Sequence, residues 1–247
     1  MSEAEAYSRL AGVYDELVVD PCFPLWADFL DDLWQADAGA VTTVLDVCCG
    51  TGLLAAELIP RGYVVVGVDA SQPMLDRARA RLGPDVDLRR AVLPDLPVDA
   101  VFDAAVSTFD GLNYLTPADF RASLAAIALR VRPDGWLVFD LHTDAMLAVA
   151  AENPRIDGDE DGRVFILTNV VDAEARTVDS TVEFEDEHGA ATETHRQYFH
   201  TDADVRAALV DAGFSVDRVV EEYTPVPADE STLRATWVCR RLADESR

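Results

Sequence analysis

The sequence predicts an α/β protein built on a mostly parallel sheet, and two observations carry that reading. From Val41 onward, short apolar, β-branched runs alternate with helix-period segments of crossover length, the pattern of parallel strands covered by helices on both faces. After about residue 160 the period changes to two, which marks a separate antiparallel insertion of three strands.

The elements follow in order. Tyr7, Leu10, Ala11, Tyr14, Leu17 and Val18 share one helical face. A second helix follows Pro21 and Pro24, with Trp26, Phe29, Leu30, Leu33 and Trp34 inward and Asp28, Asp31 and Asp32 outward. "VTTVLDV" (41–47) is the first buried strand; Gly50 and Gly52 break it, and 53–59 reads as a helix. "YVVVGVD" (63–69) is the second strand, and Ser71 caps the helix "QPMLDRARARL", which stops at Gly83-Pro84. "VFDAAVS" (101–107) is another strand. Thr116-Pro117 opens a helix with Phe120, Leu124, Ile127 and Val131 on one face, Pro133 to Gly135 form a turn, and "WLVFDL" (136–141) is the next strand.

In the insertion, "RVFILTNVV", "RTVDSTVEFE" and "ATETHRQYFH" are strands, and Asp186-Glu187-His188-Gly189 signals a hairpin. A helix at about 202–212 turns Val205, Ala208, Leu209 and Ala212 inward. "SVDRVVEEY" and "TLRATWVCR" close the chain as an antiparallel hairpin, because the loop between them is too short for a crossover. The chain divides as one domain, residues 1–247: N-terminal helices 1–40, a core 41–145, the insertion 160–200 and the end of the core sheet 201–247.

Composition narrows the partners. The formal charge is −26, with 46 acidic residues against 20 basic ones, and every basic residue is arginine. Such a surface repels phosphate backbones and anionic membranes, so neither nucleic acid nor membrane is an expected partner. No basic start with an apolar stretch and no long apolar run occurs, which reads as cytoplasmic. Cys22, Cys48, Cys49 and Cys239 form no C-x-x-C pair, and neighbours in one tight turn do not converge on a metal, so no metal site is expected.

In open α/β sheets ligands sit beyond the carboxyl ends of the strands, and Asp46, Gly50, Gly52, Asp69 and Asp110 all fall at such ends. Gly50 to Ala55 satisfies the loose dinucleotide glycine pattern, and Asp69 stands 19 residues beyond Gly50, about where a ribose partner belongs. Against a nicotinamide cofactor stand an aspartate four residues before the first glycine, where a dinucleotide strand is apolar, and the closing antiparallel hairpin.

"VLDVCCGTGLLAAEL" with "VVGVDASQPMLDRAR" resembles the class I S-adenosylmethionine-dependent methyltransferases, which carry D-x-x-x-G-x-G after the first strand and an acidic residue ending the second. The resemblance covers about residues 41–145, "AGF" and the last two strands. It implies a Rossmann-like, seven-stranded, mostly parallel sheet with a C-terminal antiparallel hairpin. "STFDGLNYL", "FDLHT" and the inserted strands narrow it to glycine-type and amino-sugar N-methyltransferases, in which inserted strands roof the substrate pocket.

Carried over, the resemblance implies S-adenosylmethionine as methyl donor and S-adenosylhomocysteine as product. Gly50 and Gly52 would let the backbone approach the cofactor, Asp46 would hold the turn or meet the methionine amine, and Asp69 would accept both ribose hydroxyls. Ala70 and Met74 would flank the adenine, Ser107, Phe109 and Asp110 the methionine side, with Cys48 contributing backbone and Tyr7 and Tyr14 covering the site. Where the family often has an acidic residue near the adenine amine, this chain has Val92; either Asp95 substitutes or backbone reads the base.

Methyl transfer from a sulfonium needs alignment and exclusion of water more than activation, so an amine acceptor has only to lose a proton, whereas oxygen calls for a base or a metal. His142, Asp110 and Tyr14 are the candidate catalytic residues. Asn113, Tyr114 and the face of Glu193, His195 and Gln197 are candidate substrate contacts. The expected function is methylation of a small molecule, most readily at an amine nitrogen. Hydroxyl or carbon acceptors, and a non-catalytic cofactor-binding protein, are the alternatives. An exposed edge of the roof leaves a homodimer open.

Overall fold

A computed structural model describes residues 7–17, 22–37, 41–160 and 163–243. Val18 and Pro21 lie outside the described residues, as do residues 1–6. The strands are β1 Thr43–Val47, β2 Val64–Asp69, β3 Asp87–Arg90, β4 Phe102–Ser107, β5 Val131–His142, β6 Arg155–Glu160, β7 Arg163–Asp172, β8 Thr177–Asp186, β9 Gly189–Tyr198, β10 Phe214–Glu221 and β11 Arg234–Arg241. The α-helices are α1 Tyr14–Leu17, α2 Cys22–Gln35, α3 Leu53–Leu58, α4 Gln72–Leu82, α5 Pro117–Ala128, α6 Asp144–Glu152 and α7 Asp202–Asp211.

Seven strands form one sheet in the order β10-β11-β5-β4-β1-β2-β3, parallel from β5 to β3 and antiparallel where β11 joins β5 and β10. Alternation along the strands feeds two cores. Val44, Ala104, Val106, Trp136 and Val138 pack beneath Trp26, Leu30 and Leu54 of α2 and α3. Leu45, Val47, Ala105, Leu137 and Phe139 pack beneath Phe120 and Leu124 of α5 and Leu209 of α7. Chain order runs one way from β1 to β3 and the other from β4 to β5, so a crevice opens beyond the carboxyl ends of β1 and β4. Ser71 caps α4 by accepting the Met74 N–H, and Thr116 caps α5 by accepting that of Asp119. Among the described residues no helix is long and apolar enough to cross a membrane.

Four expectations change. The first segment is not one helix: residues Leu10–Gly12 form a 3-10 turn before α1. Tyr7 stands at φ 60°, and the Glu193 carboxylate accepts from Ser8 Oγ and from the N–H groups of Arg9 and Leu10, so the chain enters bent against the roof. Pro133 to Gly135 do not end a strand. They form an irregularity inside β5, where Asp134 takes φ 58° and a Cβ on Gly135 would lie 2.7 Å from the Asp103 carbonyl.

The inserted roof has four strands, in the order β6-β7-β8-β9, and not three. The extra strand, "RIDGDE", is polar apart from Ile156 and shows no alternation, so the roof begins at Arg155 and ends at Tyr198 instead of spanning 160–200. β3 and α6 were also silent in the pattern: "DLRR" buries only Leu88, and α6 is apolar on most sides yet has no buried residue. The alternation of Leu233, Ala235, Trp237 and Cys239 with Arg234, Thr236, Val238 and Arg240 suits a strand near a sheet edge, but β11 lies between β10 and β5, which buries both faces from Ala235 to Cys239.

Candidate active site

The turn after β1 is built on left-handed backbone at Cys48 (φ 59°), Gly50 (φ 54°) and Gly52 (φ 76°). Asp69 ties it to the start of α4: Oδ2 accepts the Gly50 N–H at 2.9 Å and Oδ1 the Ser71 N–H at 2.8 Å. Burial raises the Asp69 carboxyl above the ordinary range, and these N–H groups oppose the rise. A cavity of about 290 Å³ opens beside it. Of the residues expected around a cofactor, Tyr14, Cys48, Gly50, Asp69, Ala70, Met74 and Phe109 line this cavity.

Three others stand behind its wall. A Cβ on Gly52 would lie 2.9 Å from Leu82 Cδ1 and 3.2 Å from Ala78 Cβ, so the missing side chain lets α4 pack against the turn. Nothing lies within 4 Å of a Cβ on Gly50, which faces open space. Asp46 does not hold the turn: neither of its oxygens has a hydrogen-bond partner, and burial, with Asp69 adding to it, pushes its carboxyl up to about 8. Ser107 Oγ is likewise buried without a hydrogen-bond partner. Ala91, Val92 and Leu93 line the cavity and Asp95 does not.

A second cavity, of about 390 Å³, lies between the sheet and the roof. The two share Tyr7, Tyr14, Phe109 and Tyr114, which makes these rings the junction. Tyr7 and Tyr14 meet edge to face at 5.6 Å, and burial raises both phenols well above their ordinary value, so they remain hydroxyls. A hydrogen-bond chain leads inward from Tyr7 to Tyr114, between hydroxyls at 2.7 Å, and from Tyr114 to His195 Nδ1 at 3.2 Å. His195 Nε2 lies 3.5 Å from Glu193 Oε2. Burial tends to raise the Glu193 carboxyl, but His195 and the N–H groups of Leu10 and Arg9 hold it at about 2. Glu193 and His195 therefore point inward, as does Gln197, while Arg196 pairs outside with Asp179.

The floor of the second cavity is organised by a residue the sequence reading passed over. Asp140 is fully buried, and it accepts the N–H groups of Phe109 at 2.8 Å and Asp110 at 2.5 Å and the Tyr223 hydroxyl at 2.9 Å. Both loop residues stand at positive φ, 61° and 51°, so the loop after β4 is held in a shape it would not adopt freely. Burial pushes the Asp140 carboxyl up to about 6 against the pull of Arg234. Asp110 accepts from Gln197 Nε2 at 2.5 Å and Arg234 Nη2 at 3.1 Å, and His142 Nε2 lies 3.4 Å away. Arg234, also unpredicted, stacks over Phe109 at 4.6 Å. Asn113 is scaffold: it donates to the Tyr198 carbonyl and accepts the His142 N–H. Trp26 is core, stacked on Tyr223.

The first cavity fits an adenosyl group by its donor set. It offers a carboxylate at the end of β2, apolar walls at Met74 and Leu93, and a glycine with an open Cβ direction. The second offers a carboxylate, two imidazoles and hydroxyls at the junction, then apolar walls.

The family model described as "Methyltransferase domain" matches residues 44–135. YqeM of Bacillus subtilis (strain 168), provisionally named a methyltransferase, is 29% identical over 227 residues, which cover 88% of this chain and 90% of that protein. An S-adenosylmethionine-dependent methyltransferase from Clostridium acetobutylicum ATCC 824 superposes with a TM-score of 0.85 at 22% identity, covering 97% of this chain and 100% of its own. CalS10, an amino pentose methyltransferase from Micromonospora echinaspora solved with the methyl donor bound, superposes with a TM-score of 0.71 at 23% identity, covering 98% of this chain and 100% of its own.

Proposed function

We propose that this chain, whose residues 44–135 match a methyltransferase domain, is a class I S-adenosylmethionine-dependent methyltransferase that methylates a small molecule at an amine nitrogen. One observation carries the reading. Two cavities meet at a ring of tyrosines, and on the far side of that junction a buried carboxylate, Asp110, has an imidazole, His142, at 3.4 Å.

In the first cavity Asp69 would grip both ribose hydroxyls, since each oxygen keeps a lone pair beyond the N–H it accepts. Ala70, Met74 and Val92 would flank the base, and the backbone of Cys48 and Gly50 would face the sugar and amino-acid parts. Bound there, S-adenosylmethionine would supply a methyl group already activated on a sulfonium, whose bonding pair would stay on sulfur when the acceptor's lone pair takes the carbon.

The chain's own residues prepare that lone pair. An amine arrives as an ammonium and has none until a proton leaves. Asp110 attracts and holds the ammonium, and His142 takes its proton. Tyr7, Tyr14 and Phe109 set the line of approach and keep water out. The fold shared with an amino pentose methyltransferase supports the same reading.

The test is turnover with matched panels of amines, phenols and carboxylic acids, following S-adenosylhomocysteine release. Turnover of amines is expected. Turnover of phenols or acids with none of amines would overturn the reading.

A further inference from the structure

The second cavity runs past the junction into a space whose walls are mostly apolar, with Asn153, Asn169 and Ser180 among them. α6 contributes Met146 and Val149, and no residue of that helix is buried. The roof contributes Ile156, Leu167 and Val182 across the gap. Val149 and Ile156 keep 37% and 41% of their surface exposed. Facing apolar surfaces beside a reaction centre are what the body of an apolar ligand covers.

Charge at the junction end identifies the head of that ligand. The chain has no lysine, and among the described residues lining this cavity Arg234 is the one arginine. Its guanidinium is engaged: Nη1 bonds Glu222 at 2.6 Å, Nη2 bonds Asp110 at 3.1 Å, and Nε lies 3.8 Å from Asp140. Three carboxylates thus surround one cation, which leaves the floor net negative. A diphosphate calls for donor forks of positive charge, and this floor would repel it.

We infer that the acceptor is an amphiphilic amine, with one ammonium head at Asp110 and an apolar chain or ring between α6 and the roof, and not an amino sugar linked to a nucleoside diphosphate. The inference rests on the amine reading above and narrows it.

Calorimetric titration of n-alkylamines from propyl to decyl, with S-adenosylhomocysteine present, tests it by binding as well as by turnover. Affinity is expected to rise about fourfold for each methylene buried, the equivalent of about 0.8 kcal/mol. Val149→Asp, at a site 37% exposed, is expected to lower decylamine affinity at least tenfold and to leave S-adenosylhomocysteine affinity as it is. Affinity independent of chain length, or no binding by any of the chain-bearing amines, would overturn the inference. So would methylation of a nucleoside-diphosphate amino sugar in preference to the alkylamines, an outcome that leaves the amine reading standing. Methylation of phenols or acids alone would overturn both.

Discussion

The Asp140 carboxylate accepts the backbone N–H of Asp110 at 2.5 Å, and through that bond a residue inside the sheet shapes the floor of the acceptor cavity. The second oxygen accepts from Phe109 and Tyr223. Asp140→Asn puts an amide N–H against one of these donors, so a buried donor loses its acceptor. Denaturant unfolding is expected to show a loss of about 1–3 kcal/mol, together with a raised KM for the acceptor. An unchanged KM would mean that the loop keeps its shape without the carboxylate.

Asp46 makes the stability of the ligand-free chain depend on pH. Its folded carboxyl sits at about 8 and a free aspartate near 3.9, so between these values the folded chain keeps a proton that the unfolded chain has released. Stability from this group is complete below about pH 4 and is lost as pH rises through 8. Asp46→Asn removes the titration. The variant is expected to match the parent near pH 4 and to exceed it at pH 8 by a margin on the order of a few kcal/mol. Parallel stability curves for the two proteins would show that Asp46 has another partner.

The two glycines of the turn are expected to respond differently to alanine. Both changes place a side chain on left-handed backbone, at about 1–2 kcal/mol each. Gly52→Ala also drives a Cβ against Ala78, which adds an overpacking penalty of about 1–3 kcal/mol. Gly50→Ala meets no protein atom but enters the first cavity. Thermal unfolding should therefore single out Gly52→Ala, and S-adenosylhomocysteine titration should single out Gly50→Ala. The reverse pairing would restore a ligand role to Gly52.

His142→Ala is expected to lower kcat by about 10²–10⁴-fold at neutral pH. Activity should recover in part as pH rises and the free amine forms in solution, with S-adenosylhomocysteine affinity unchanged. A comparable loss in His195→Ala, and none in His142→Ala, would move the proton to the chain through Tyr114.

Much of this was legible in the residues, for reasons the structure makes plain. β1, β2, β4 and β5 read clearly because helices on both faces call for continuous apolar runs. β3 at the edge of the main sheet and β6 at the edge of the roof did not, because an edge strand can be polar and still pair. The aspartate and glycine spacing located the first cavity but could not say what each glycine admits. Gly50 faces open space and Gly52 faces Leu82, a distinction set by where α4 lies. Asp140 and Arg234 were invisible as a pair because their meeting depends on register: β11 lies against β5 with Arg234 opposite His142, so residues some ninety positions apart share one cavity floor. His195 and Gln197 were readable as a face, but only the roof's placement turns that face inward.

The methyl carbon itself reports the acceptor atom. S-adenosylmethionine carrying a ¹³C-methyl group is incubated with the chain and an alkylamine, and the product is read by NMR. Methyl transfer to an amine predicts label on nitrogen, one methyl for each S-adenosylhomocysteine formed in the first turnover. Label on oxygen or carbon of an acceptor, or no transfer to any amine from a protein that binds S-adenosylhomocysteine, would contradict it.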